Sequence, residues 1–193
     1  MAVSSDYDWV SDFGSAACVT IVVNGSALPV LEAFEADVST PLEGDERSPY
    51  AGPYDVVVAV FPVPGGVVVY EANGYHGSLR EVVSRLADGG RVASMYWNED
   101  AAMPSLTCAE GRFLSTTELF DFGDDDRSPD RDDELPPGLD VLAEELAAVD
   151  FDTDESQGQM LAIGFAMMEQ FCGVGVPRTI FDGPEPPSYP ILG

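Results

Sequence analysis

The chain has 193 residues, 45% of them hydrophobic and 10% aromatic; that is enough apolar material for one domain with a sizeable core, and it excludes wholesale disorder. Eight basic residues stand against 35 acidic ones, for a net charge of -27, and every basic residue is arginine. Such a surface repels nucleic-acid phosphate and anionic membranes, and it speeds encounters with basic partners.

No apolar run reaches the roughly 18 to 20 residues of a membrane-spanning helix. Met1-Ala2-Val3-Ser4-Ser5-Asp6 has neither a basic start nor a following apolar stretch, so a secretory signal is not expected and the chain reads as cytoplasmic. Cys18, Cys108 and Cys172 are far apart, odd in number and set in apolar surroundings, which reads as buried reduced thiols rather than a zinc site.

In chain order, residues 6 to 13 alternate acidic with aromatic or apolar residues, and Trp9 and Phe13 share one face if the stretch is helical. Residues 16 to 23, Ala-Ala-Cys-Val-Thr-Ile-Val-Val, read as a buried strand closed by Asn24-Gly25. Ser26 is placed to cap a short helix over Leu28, Leu31 and Phe34. Residues 37 to 53 read as a loop. Residues 55 to 61 and 66 to 72, joined through Pro64-Gly65-Gly66, predict an antiparallel hairpin.

Ser78, with Glu81 three residues on, reads as a capping box for a helix over 78–87, and Leu79, Val82, Val83 and Leu86 supply its apolar stripe. Residues 91 to 97 alternate as a strand, with Tyr96 and Trp97 on opposite faces, and two further strands over 104–109 and 112–120 complete a meander. Residues 121 to 137 are acidic and broken by proline and glycine, which predicts a solvated loop. Helices follow over 139–149 and 157–172, the second apolar on more than one side. The proline-rich tail at 184–193 is expected to lie extended against the body.

The expected fold is therefore a single α+β domain: a mainly antiparallel sheet of about six strands, with helices 78–87, 139–149 and 157–172 packed on one face.

Four blocks resemble, in order and spacing, an actinobacterial domain family of uncharacterised function. They are Cys18-Val19-Thr20-Ile21-Val22, Glu71-Ala72-Asn73-Gly74-Tyr75-His76-Gly77, Arg91 through Asn98, and Phe165-Ala166-Met167-Met168-Glu169 followed by Gly173-Val174. The resemblance covers most of residues 7 to 176 and implies no catalytic residues. Residues 121 to 134 are more acidic than the family pattern, whose connection there is shorter, so the resemblance implies nothing about that insert.

Chemistry-bearing motifs are few. His76, the sole histidine, sits in a Gly-Tyr-His-Gly loop, and no serine or cysteine motif brings a nucleophile to it, so it reads first as a turn residue and only second as a general base. Glu71 and Asn73 bracket the same loop at i and i+2, a spacing that on a strand projects both to one polar contact patch; the alternative is a strand end whose side chains satisfy loop amides. Asp150, Asp152 and Asp154 do not open an EF-hand, because Glu155 and Leu161 occupy the positions that need glycine and a bidentate glutamate. Gly65-Gly66 and Gly89-Gly90 lack the phosphate-loop spacing. No metal or cofactor is expected.

These observations favour a non-enzymatic acidic protein that binds a basic protein partner, with a toxin-neutralising immunity protein as the concrete form. The expected contact residues are Glu71, Asn73, Tyr75, His76, Tyr96 and Trp97, with Asp124, Asp125, Asp126, Asp132, Asp133 and Glu134 as the steering surface. The alternatives are a DNA mimic that inhibits a nucleic-acid-binding protein, and an enzyme that uses Glu71 and His76 on a small substrate. No direct nucleic-acid or membrane contact is expected.

Overall fold

The structure, a computed structural model, describes residues 2–12, 16–47, 55–98, 102–119, 135–150, 155–182 and 186–191. Its strands are β1 (Ala16–Val23), β2 (Val57–Val63), β3 (Gly66–Ala72), β4 (Arg91–Asn98), β5 (Ala102–Glu110), β6 (Phe113–Glu118) and β7 (Ser188–Pro190). The helices are α1 (Ala27–Ala33), α2 (Arg80–Ala87), α3 (Asp140–Ala147), α4 (Ser156–Cys172) and the single turn α5 (Thr179–Asp182). Three 3-10 segments, Ser4–Asp12, Gly44–Arg47 and His76–Ser78, join them.

The strands form one seven-stranded sheet in the order β6-β5-β4-β1-β3-β2-β7, antiparallel at every pairing. The β2–β3 hairpin and the β5–β6 hairpin follow from short turns containing Gly65 and Gly111, and the alternation of β4 fits its pairing with β5. β1 enters between them, so the most continuous β-branched run in the chain occupies the centre of the sheet. Cys18 through Ile21 are fully buried, because both faces of the sheet are covered there.

The alternation of β1 and β4 separates two cores. Ala17, Val19, Ile21, Ala93, Met95 and Trp97 face α4 and α3, together with Tyr7 and Val10 of the N-terminal 3-10 stretch. Val22, Val69, Val92 and Ala109 face α1 and α2, which contribute Val30, Leu31, Val82, Val83 and Leu86. Each Val, Leu, Ile or Met side chain among these taken fully out of water is worth about 1.5–3 kcal/mol, so both layers contribute substantially. The α+β antiparallel class is as expected from sequence, but the helices lie on both faces rather than one. The apolar stripe of α2, with Val82, Val83 and Leu86, packs beside Val30 and Leu31 of α1 on the face opposite α4.

Two further differences have local causes. The seventh strand comes from the tail: Ser188–Pro190 pairs with Val57–Ala59 of β2, and Leu42 bridges Ser188 from the loop read over 37–53. Ser78 does not cap α2. Its hydroxyl donates to the Tyr75 carbonyl at 2.7 Å within the 3-10 turn, and Leu79 occupies the N-cap position. Residues 121–134 of the acidic segment, with Asp124, Asp125, Asp126, Asp132, Asp133 and Glu134, lie outside the described residues, as do Phe13 and residues 151–154.

α4 ends where Gly173 takes φ +69, a left-handed conformation that glycine adopts without strain, and its N–H returns to the Glu169 carbonyl at 2.7 Å. Arg91 reaches the same end. Its guanidinium donates to the Phe171 carbonyl at 2.9 Å and lies 5.4 Å from the centre of the Phe171 ring.

Candidate functional site

β3 leaves the sheet through Glu71 and Ala72, and the chain then wraps back over the end of its own strand. Asn73 turns it with φ +55, a left-handed conformation that asparagine tolerates better than most residues. The turn brings the next residues directly over the Glu71 side chain. Glu71 is 0% exposed. Its carboxylate accepts the His76 N–H at 2.9 Å through Oε2 and the Gly77 N–H at 2.8 Å through Oε1.

Two glycines permit this approach. A Cβ at Gly74 would lie 2.7 Å from Cβ and 2.8 Å from Oε2 of Glu71. A Cβ at Gly77 would lie 2.2 Å from Oγ1 of Thr20, 2.9 Å from Oε1 of Glu71 and 3.1 Å from Sγ of Cys18. The loop therefore sits in van der Waals contact with a small polar floor. That floor is built by register: Cys18 of β1 stands opposite Glu71 on one side and Tyr96 on the other, and Thr20 stands opposite Ser94. Thr20 Oγ1 and Ser94 Oγ are 2.9 Å apart, and Cys18 Sγ is 3.2 Å from Ser94 Oγ. Cys18, Thr20, Glu71 and Ser94 are all fully buried.

The thiol of Cys18 is held well above its ordinary range, first by burial and then by the neighbouring Glu71 carboxylate. It is a neutral, covered thiol, and a neutral thiol is a poor nucleophile.

The loop presents an aromatic surface. Tyr75 is 49% exposed, stacks on the His76 ring at 5.0 Å between centroids, and meets Tyr96 edge-on at 6.5 Å. Nδ1 of His76 is buried and lies 3.4 Å from Glu71 Oε2, within ion-pair reach but without a hydrogen bond among the described residues.

The residues expected to make contacts thus divide. Tyr75, His76 and Tyr96 come together at one surface. Glu71 is beneath them rather than beside them. Asn73 is exposed but lies past the strand end, so the i and i+2 spacing no longer places it with Glu71. Trp97 is 1% exposed and packs against Phe165 in the α4-side core, so it has no surface to offer a partner. Sequence reading passed over Cys18, Thr20, Ser94, Gly74 and Gly77. The signal available for them was a glutamate at a strand exit followed by glycine at the third and sixth positions beyond it, a spacing that lets a loop fold over a carboxylate.

A model of one protein family matches residues 1–185. The chain belongs to DUF6461, a family of unknown function. No curated protein and no solved structure matches the chain. The cradle around Glu71 falls within the family match, as does every strand except β7. Among the described residues, no group of three or more His, Cys, Asp or Glu side chains is placed to hold a metal ion, and no helix is long and apolar enough to cross a membrane.

Proposed function

We propose that this chain is a non-enzymatic binding protein for a basic protein partner, a toxin-neutralising immunity protein in its concrete form, and that it meets that partner through the Asn73–Ser78 loop. The observation that carries the reading is the use of the Glu71 carboxylate. Both oxygens are committed to backbone N–H groups of the loop. A carboxylate held this way fixes the backbone of the loop above it.

What it fixes is an exposed tyrosine backed by a histidine and a second tyrosine. Rigid aromatic anchors are the residues that concentrate binding energy, and an anchor ordered before the encounter avoids an ordering cost of about 0.5–1.5 kcal/mol per side chain. The net charge of -27 adds attraction for a basic partner and raises its association rate. The Glu71–His76 contact also supports a second reading, an enzyme acting on a small substrate through the partly exposed His76 imidazole with Glu71 as its positioning residue.

The test is affinity capture from native lysate at about 50 mM and about 500 mM salt; at the higher value the screening length falls to roughly 4 Å and steering between surface charges is largely removed. One basic protein retained at both salts is the expected result. Capture that spreads over many basic proteins, or disappears at high salt, contradicts a packed interface.

A further inference from the structure

A concave site lies at the opposite end of β3 from the Tyr75 loop, against the α4 face. It is a cavity of about 550 Å³ lined by the N-terminal 3-10 stretch, the β2–β3 turn and the chain leaving α4. β3 separates this turn from the Tyr75 loop, and seven extended residues span roughly 20 Å. The two sites are therefore independent, and the chemistry of the cavity does not rest on the partner-binding reading.

Three features of the cavity converge on one ligand chemistry. The first is charge. Asp6 and Glu169 both line it, against one basic residue, Arg178. Glu169 is held in place: the Tyr7 hydroxyl donates to Oε2 at 2.7 Å and itself accepts the Val176 N–H at 3.3 Å. That bond takes one carboxylate oxygen and leaves the other as an acceptor.

The second feature is the end of α4, a 17-residue helix whose last turn, with Glu169 and Gly173, forms part of the wall. Carbonyl groups and the negative end of the helix dipole collect there, and cations are stabilised at such ends. The molecule already uses this end for one guanidinium, since Arg91 donates to the Phe171 carbonyl and covers the Phe171 ring.

The third is aromatic. Trp9 lines the cavity, and its indole is pinned by a 3.0 Å bond from Nε1 to the Asp6 carbonyl and by edge contact with Phe165 at 6.1 Å. A half-buried indole beside two carboxylates is a good surface for a flat, weakly hydrated cation. Cavities of about 300–1,000 Å³ suit small molecules, so there is also room for an apolar body behind the charged head.

We infer that this cavity is a binding site for an organic cation of the guanidinium class, seated on Trp9 and paired with Glu169 and Asp6. The same chemistry can come from a free small molecule or from an arginine side chain on a peptide.

The test uses the full chain at about 150 mM salt, where non-specific attraction to its acidic surface is screened beyond roughly 8 Å. The Trp9 indole N–H resonance is followed by NMR, with buried Trp97 as the internal reference. The probes are N-acetyl-arginine amide, its uncharged isostere N-acetyl-citrulline amide, and a blocked Ala-Arg-Ala tripeptide. The arginine probe should shift Trp9 and not Trp97, and citrulline should bind at least about tenfold more weakly, because a hydrogen bond to a charged group is worth more than its neutral counterpart. Glu169→Gln keeps an acceptor for Tyr7 and should lose about tenfold in affinity. Asp6→Asn, at an exposed position, gives the same direction if Glu169→Gln fails to fold. Arg178→Ala removes a like charge from the wall and should tighten binding. Tighter binding of the tripeptide than of the single residue identifies a peptide side chain as the natural occupant, and equal binding identifies a free cation. Equal shifts from arginine and citrulline, an unmoved Trp9 resonance, or unchanged affinity in both acidic variants would overturn the site.

Discussion

Glu71→Gln isolates the device that orders the aromatic loop. Carboxylate and carboxamide have nearly the same shape, so the cradle under Gly74 and Gly77 is kept. An amide, however, offers one oxygen where the carboxylate offers two. One of the two N–H groups, of His76 at 2.9 Å or of Gly77 at 2.8 Å, must then face an NH2 group. The buried position leaves no water to take over. A buried donor left unpaired costs about 1–3 kcal/mol, and the surviving bond also loses its charge assistance. Removing a buried charge relieves some desolvation in the opposite sense. The expected net loss is about 2 kcal/mol, a sizeable part of the roughly 5–15 kcal/mol that holds a domain of this kind. The assay is urea denaturation of both proteins, combined with hydrogen exchange at the His76 and Gly77 amides. At least one of those amides should lose protection while the amides of β1 keep theirs. Unchanged midpoints, with both loop amides still protected, would refute the role assigned to Glu71.

Gly77→Ala should destabilise by about 1–3 kcal/mol through overpacking, since its Cβ would lie 2.2 Å from Thr20 Oγ1; adding Thr20→Ala should recover part of the loss, and additive effects in the same denaturation series would contradict the packing described. Arg91→Ala should cost about 1–2 kcal/mol by removing the donor to the Phe171 carbonyl and the ring contact, and thermal unfolding would detect it as a fall of a few degrees. Stability should also fall at alkaline pH. Burial pushes the Cys172 thiol up to about 12 from an ordinary 9.0, and burial raises Cys18 and Cys108 in the same direction. The folded state then keeps protons that the unfolded chain gives up between about pH 9 and pH 12, so this stability is full below pH 9 and is lost as pH rises through that window. Urea midpoints measured from pH 8 to pH 11 should decline above pH 9, and Cys172→Ala should flatten the decline; a flat profile in the parent chain would contradict it.

Much of the sheet was legible because its signals are local. The continuous β-branched run of β1, the glycine turn between β2 and β3, and the alternation of β4 each imply a strand without reference to the rest of the chain. The stripe of α2 and the all-round apolar surface of α4 were equally plain. What was not legible depends on distant partners. Ser188–Pro190 is too short to show a period, and it becomes a strand only because β2 offers it an open edge. Nothing in the stripe of α2 says which face of the sheet it will cover. Glu71 allowed two readings, a polar contact patch or a strand end whose side chain satisfies loop amides, and its hydrogen bonds to the His76 and Gly77 N–H groups are the second. What local pattern did not show is its complete burial, which follows because Gly74 and Gly77 let the backbone come close enough to satisfy it. Tyr96 and Trp97 show the opposite case: alternation placed them on opposite faces correctly, but only the packing of α4 decides that the Trp97 side is closed.

The central claim is that the Glu71 cradle presents Tyr75 as a pre-ordered anchor for a basic partner. Its most direct test is the affinity of the captured partner for the parent chain and for Tyr75→Ala, measured at about 500 mM salt where charge steering is screened. Tyr75 is exposed and its removal leaves the buried cradle intact, so a fold defect does not confuse the result. A loss of roughly thirtyfold or more, the scale of an anchor worth at least about 2 kcal/mol, is the predicted outcome. Equal affinity of the two proteins would contradict the account.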